Sequence, residues 1–182
     1  FAAFQSCSSL QSITLSNHLV SISDAMFYNC KSLDKLYLPE SVTSIGVSAF
    51  RDCKSLKQIY IPDLVETIAE GAFYDCKSIG LVEMGDQVTY IGDYAFTLCK
   101  SIHTLHLSEA VREIGAESFA LCKSLRQINL PDGLQKIGRG AFGGCRSLVE
   151  VVVPDSVKHI KRGTFYRCYS LSALTLGQGL VN

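Results

Sequence analysis

Apolar residues recur along this chain in columns. Counting from Leu33, the positions Leu36, Leu38, Val42, Ile45, Ala49, Phe50 and Cys53 are apolar, and the same set returns every 23 residues. The leading column reads Leu10, Leu33, Leu56, Ile79, Ile102, Leu125, Leu148 and Leu171, and the column after Val or Leu is isoleucine from Ile22 to Ile160. Eight cysteines stand at 7, 30, 53, 76, 99, 122, 145 and 168, and each has a phenylalanine three residues before it, from Phe4 to Phe165. A fixed period of about 20 to 50 residues is the signature of a stacked-repeat architecture.

Each segment of the unit predicts an element. Leu33-x-x-Leu36-x-Leu38 ends in the alternation of a strand buried on one side, and stacked copies predict a parallel sheet with strands about 4.8 Å apart. Pro39, Pro62, Pro131 and Pro154 follow that strand, where the ladder is ending and a missing N–H is tolerated. Val42-x-x-Ile45-Gly46 then carries the chain back as a short second strand. Ala49-Phe50-x-x-Cys53, spaced near one helical turn, closes the coil. A lone unit cannot offset the ordering of its backbone at about 1–2 kcal/mol per residue, so only stacking stabilises it. The expected whole is one solenoid domain over residues 1–182 with about eight coils. Both ends stop inside a repeat, as expected of a piece of a longer protein.

The columns spell Cys-x-Ser-Leu-x-x-Ile-x-Leu-Pro-x-x-Val-x-x-Ile-Gly-x-x-Ala-Phe-x-x-Cys, which closely resembles the BspA-like, treponemal-type class of leucine-rich repeats over essentially the whole chain. The departures are Ser16, Met84-Gly85, Ser108 and Gly177 at the strand exit and Lys161 in the glycine slot. The resemblance implies a leucine-rich-repeat or β-solenoid fold, with a parallel sheet on one face and short strands or helical turns on the other. It further implies adhesion or partner binding at a cell surface or after secretion, with no catalytic residue to carry over. An intracellular scaffold or structural subunit is the alternative.

Composition narrows the partners. Seventeen Lys+Arg balance 17 Asp+Glu, which gives no general attraction to nucleic acid, and no apolar run approaches the roughly 18 residues of a membrane span. Nothing opens the chain that looks like an export signal, so any such signal is expected to be already removed or never present. The cysteines read as a ladder of buried free thiols, because stacked Cβ vectors point the same way and stay too far apart for a disulfide. No Cys-x-x-Cys pair supports zinc, and the four histidines, His18, His103, His106 and His159, read as solvent-facing. Serine two residues after every cysteine, Ser9 to Ser170, is read as a structural hydroxyl capping backbone groups. No metal, cofactor or active site is expected.

Function must then lie in the outward columns. The expected partner, protein or glycan, meets the strand face at Lys35, Tyr37, Gln58, Tyr60, Glu83, His106 and Asn129, with the two tyrosines as anchors. A basic edge follows the cysteines: Lys31, Lys54, Lys77, Lys100, Lys123 and Arg146. An acidic edge follows the strand: Glu40, Asp63, Asp86, Glu109, Asp132 and Asp155. Two readings of these edges stand. In one they are solvated turn residues inherited by repeat duplication, the carboxylates accepting backbone N–H bonds. In the other they form a track for anionic polymers or the seam of lateral or end-to-end self-association.

Overall fold

The computed structural model describes residues 2–181 as a stack of short coils containing strands and turns, with no helix among them. In chain order the strands are β1 (Ser21–Ile22), β2 (Ser44–Ile45), β3 (Gln58–Ile61), β4 (Thr67–Ile68), β5 (Leu81–Met84), β6 (Tyr90–Ile91), β7 (Thr104–His106), β8 (Glu113–Ile114), β9 (Lys136–Ile137), β10 (Glu150–Val152) and β11 (Ala173–Thr175). All pairing is parallel and each partner lies 23 residues on, as in Ser44↔Thr67 and Gln58↔Leu81. The chain is therefore a leucine-rich-repeat β-solenoid of about seven turns, measured by the seven stacking intervals of its phenylalanines.

One core runs through the coils from Ile22 to Val157. Phe27, Phe50, Phe73, Phe96, Phe119 and Phe142 are fully buried, and all eight rings from Phe4 to Phe165 stack at 5.0–5.8 Å between centroids with planes within 10°. The expected covering of each phenylalanine by the next is present. So is the thiol ladder: all eight cysteines are free, Cys30 through Cys145 are buried, and Cys7 at the first coil is exposed. From Cys30 to Cys168 each Sγ donates to the phenylalanine carbonyl of the preceding coil, for example Cys76 to Phe50 at 2.9 Å and Cys99 to Phe73 at 3.1 Å. A small apolar residue with a weak donor suits a slot that faces a buried carbonyl.

Two expectations about the coil need correction. The Phe-x-x-Cys segment is not a helical turn. It is a chain of tight turns with two left-handed residues per coil, such as Ser48 (φ 54°) and Asp52 (φ 63°), or Gly71 (φ 60°) and Asp75 (φ 53°). Left-handed backbone breaks any helix and turns alternate N–H groups sideways, where Phe27 N bonds Ala49 O at 2.8 Å and Asn29 N bonds Arg51 O at 2.7 Å. The closing side is thus a hydrogen-bonded ladder between coils.

The second correction concerns which sheet is continuous. The return segments form one six-stranded sheet, β1-β2-β4-β6-β8-β9, whereas the leading segments form β3-β5-β7, β10-β11 and isolated bridges at Ser12↔Lys35 and Gln127↔Glu150. Pairing lapses between Lys35–Leu38 and β3, and again between β7 and residues 127–130. In the column that leads into these strands Gly80 N bonds Lys57 O at 2.8 Å and Val149 N bonds Arg126 O at 2.9 Å, whereas at the two lapses Lys57 N and Arg126 N make no such bond to Asp34 O and His103 O among the described residues.

The return side tolerates tight contact because of glycine. A Cβ at Gly138 would sit 2.4 Å from the Ala116 backbone nitrogen. Ser23, Ala69 and Lys161 carry a Cβ in the same column.

One buried group is out of place. Ser118 is fully buried and its hydroxyl has no partner, while the same column holds Ala49, Ala72, Ala95 and Ala141 in other coils. An orphaned buried hydroxyl costs about 1–3 kcal/mol. Ser118→Ala should therefore raise stability by about 1 kcal/mol, read as a thermal midpoint about 2–4 °C higher for a chain of this size. An unchanged or lower midpoint would mean that the hydroxyl has a partner in solution.

Candidate functional site

The outward residues of the leading strands stand where strand alternation puts them. In β3 the pattern is exposed Gln58, buried Ile59, exposed Tyr60, buried Ile61. The inward side chains are held by the core, so their outward neighbours are fixed in rows. Tyr60, Glu83 and His106 are register partners across β3-β5-β7 and form one contiguous strip, with His106 Nδ1 3.8 Å from Glu83 Oε1. Tyr37 and Lys35 lie across the first lapse from Tyr60 and Gln58, and Asn129 lies across the second from His106. Tyr37 is 79% exposed and Tyr60 44%, large values for aromatic side chains with one fixed base. The Tyr60 hydroxyl donates to Asp63 Oδ1 at 3.3 Å, and partial burial followed by the Asp63 charge raises its pKa.

The leading side carries shallow cavities that sequence columns do not reveal, one of them at the second lapse. One of about 620 Å³ is lined by Ser101, His103, Ser124, Arg126 and Ser147. Another of about 390 Å³ is lined by Gln127–Leu130, Glu150 and Val152. The serine column corrects the capping expectation: among the described residues none of its hydroxyls is hydrogen-bonded to protein, and each serine is exposed or half-buried. The signal that could have found the cavity is the mixed column Gly80, His103, Arg126, Val149 four residues past each cysteine.

The basic edge is exposed or half-buried along its length, and its members differ. Lys54 bonds Asp52 at 2.9 Å and Asp75 at 3.2 Å, both in a left-handed column, and those hydrogen bonds raise its pKa. Arg146 lies over the Tyr169 ring at 5.6 Å. Lys31, Lys77, Lys100 and Lys123 have no carboxylate within ion-pair distance among the described residues. The six carboxylates of the acidic edge are all exposed, and the N–H bond foreseen for them is made by Asp155, which accepts from Gln178 N at 2.7 Å. The same coil-to-coil bond is made by Asp24 to Val47 N and by Asp93 to Ala116 N, in a column just past the glycine slot. The four histidines are exposed, and no group of three or more His, Cys, Asp or Glu is placed to hold a metal among the described residues. No helix there is long and apolar enough to cross a membrane.

A stack of identical coils with an aromatic core and varied outward columns defines a repeat protein of the leucine-rich class. The chain belongs to the BspA type leucine rich repeat family, whose pattern it matches over residues 1–103 and 89–182, in six copies. Among solved structures, the T. pallidum leucine rich repeat protein is similar at 28% identity and a TM-score of 0.73, over 90% of this chain and 72% of that one. A leucine rich cell surface protein from Faecalibacterium prausnitzii A2-165 is similar at 26% identity and a TM-score of 0.66, over 96% of this chain. The present chain spans 62% of the length of that protein. No curated protein matches the sequence.

Proposed function

We propose that the chain is a non-catalytic binding module of a cell-surface protein, meeting a protein or glycan partner on its leading-strand face. The observation that carries this reading is the strip Tyr37, Tyr60, Glu83, His106 and Asn129. It stays exposed or half-exposed on a scaffold whose inward columns are buried through the central coils, and its chemistry varies along the array. Family membership and the likeness to the Faecalibacterium cell surface protein support the location. Tyrosines with a rigid base and a polar tip are typical binding anchors, and the two lapses leave leading strands without a ladder partner beside them.

The double variant Tyr37→Ala, Tyr60→Ala should lose at least about tenfold in affinity for whichever ligand emerges from a panel of immobilised matrix proteins and glycans. Its thermal midpoint should hold, because both rings are outside the core. Undiminished binding by the folded double variant would move the site off this face. Location is tested separately by labelling intact source cells with a membrane-impermeant reagent: modification before lysis supports the surface reading, and modification only after lysis rejects it.

A further inference from the structure

The closing side of the solenoid carries a charge reversal along its axis. The column just past the glycine slot holds Asp24, Glu70 and Asp93 toward one end and Arg139 and Arg162 toward the other. The second left-handed column does the same, from Asp52 and Asp75 to Arg167. At the basic end the side opens into a trough of about 730 Å³. That is within the usual range of about 300–1,000 Å³ for a small-molecule site.

Three features of the trough specify its occupant. Its rim is cationic. Arg139 has Glu117 at 3.5 Å, while Arg162 and Arg167 have no carboxylate within ion-pair distance among the described residues. Its floor is bare backbone at Gly143, in a column that carries Tyr28, Arg51 and Tyr74 in earlier coils, so a flat ring can lie where their side chains would be. Leu121 and the 62%-exposed Tyr166 add apolar contact, with the Arg167 guanidinium over the Tyr166 ring at 5.0 Å. The floor offers no free donor of its own, since Gly143 N bonds Gly140 O and Gly144 N bonds Tyr166 O. A ring bearing a carboxylate would find guanidinium forks and a flat surface.

The geometry points to an acidic-sugar site in this trough, in which Arg162 and Arg167 hold the carboxylate of a glycan unit whose ring lies over Gly143. It is a second site, on a different side of the solenoid from the strand face. The test titrates the intact chain by calorimetry with sialyllactose and oligogalacturonate, and with lactose and hexaglutamate as comparisons. At least one acidic sugar should bind, more weakly at high salt, with lactose and hexaglutamate at least tenfold weaker. Arg162→Ala with Arg167→Ala should lower that affinity at least tenfold. Gly143→Tyr should abolish binding, and the same column accepts tyrosine at Tyr28 and Tyr74. Tyr37→Ala with Tyr60→Ala should leave sugar binding unchanged, which separates this site from the strand face. The assignment is overturned if no acidic sugar binds, if lactose or hexaglutamate binds as tightly, or if the folded arginine variant keeps wild-type affinity.

Discussion

Above pH 9 the folded chain should lose stability far more steeply than an ordinary domain, under reducing conditions and with no change in its salt bridges needed. Burial raises the thiols of Cys76, Cys99 and Cys145 well above their ordinary value of 9.0, raises Cys122 in the same way, and lifts Cys30 to about 11. The stabilisation from these raised groups is fully present below pH 9. Between the unfolded and folded values the unfolded chain has given up its thiol protons and the native stack still holds them. Unfolding then releases protons, and stability falls as pH rises, by about 1.4 kcal/mol per pH unit for each such thiol. Four thoroughly buried thiols acting together give roughly 5–6 kcal/mol per unit, enough to remove most of a typical folding free energy of about 5–15 kcal/mol within two units. Guanidinium midpoints measured from pH 8 to 11 in the presence of reductant should trace this fall. In the variant Cys76→Ala, Cys99→Ala the slope should drop by about half. A double variant with the parental slope would assign the alkaline loss to other groups.

The same thiols show what was legible in the sequence. A cysteine every 23 residues at an apolar slot implied a column of buried free thiols, and the columns of Phe, Ile and Leu implied the parallel stack in its register. These features were readable because each repeat is an independent statement of the same burial pattern. The closing turn was misread because the spacing of Ala49, Phe50 and Cys53 suits a helical turn as well as a left-handed turn, and only coil-to-coil bonding distinguishes them. The lapses in the leading sheet fall where Lys57 follows Asp34 and Arg126 follows His103 in one column, which is a relation between repeats and is invisible within one. On the surface, the strand-face row was placed as expected. The carboxylates that join coils are expected in the column of Glu40 and Asp63, and occur at Asp155 of that column and, just past the glycine slot, at Asp24 and Asp93. Duplication had made the first column conspicuous by repeating one charge. The columns of Asp24 to Arg162 and Asp52 to Arg167, where the charge changes sign, carry no repeated signal that a period would reveal.

Removing one ring from the middle of the phenylalanine stack should destabilise the whole array. Phe96 is fully buried, with Phe73 at 5.0 Å on one side and Phe119 at 5.4 Å on the other. Phe96→Ala loses the transfer free energy of the ring, leaves a cavity, and breaks two stacking contacts, for a cost of about 3–5 kcal/mol. The stack cannot close the gap, because the ladders on the return and closing sides hold neighbouring coils at fixed spacing: Phe73 N bonds Ala95 O at 2.7 Å, and Phe96 N bonds Ser118 O at 2.7 Å. In a one-dimensional array the damage is to two nearest-neighbour interfaces at once, so coils on either side lose their coupling. Phe4, half-buried in the first described coil and stacked on Phe27 alone, supplies the comparison. Phe4→Ala should fray that coil and leave the main guanidinium transition nearly in place. Phe96→Ala should move the transition far to lower denaturant, and a reduced slope or a second step would report two half-arrays unfolding apart. Equal costs at the two positions would refute nearest-neighbour stacking as the source of the array's stability, since that account requires the price of a lost ring to grow with the number of rings it touched.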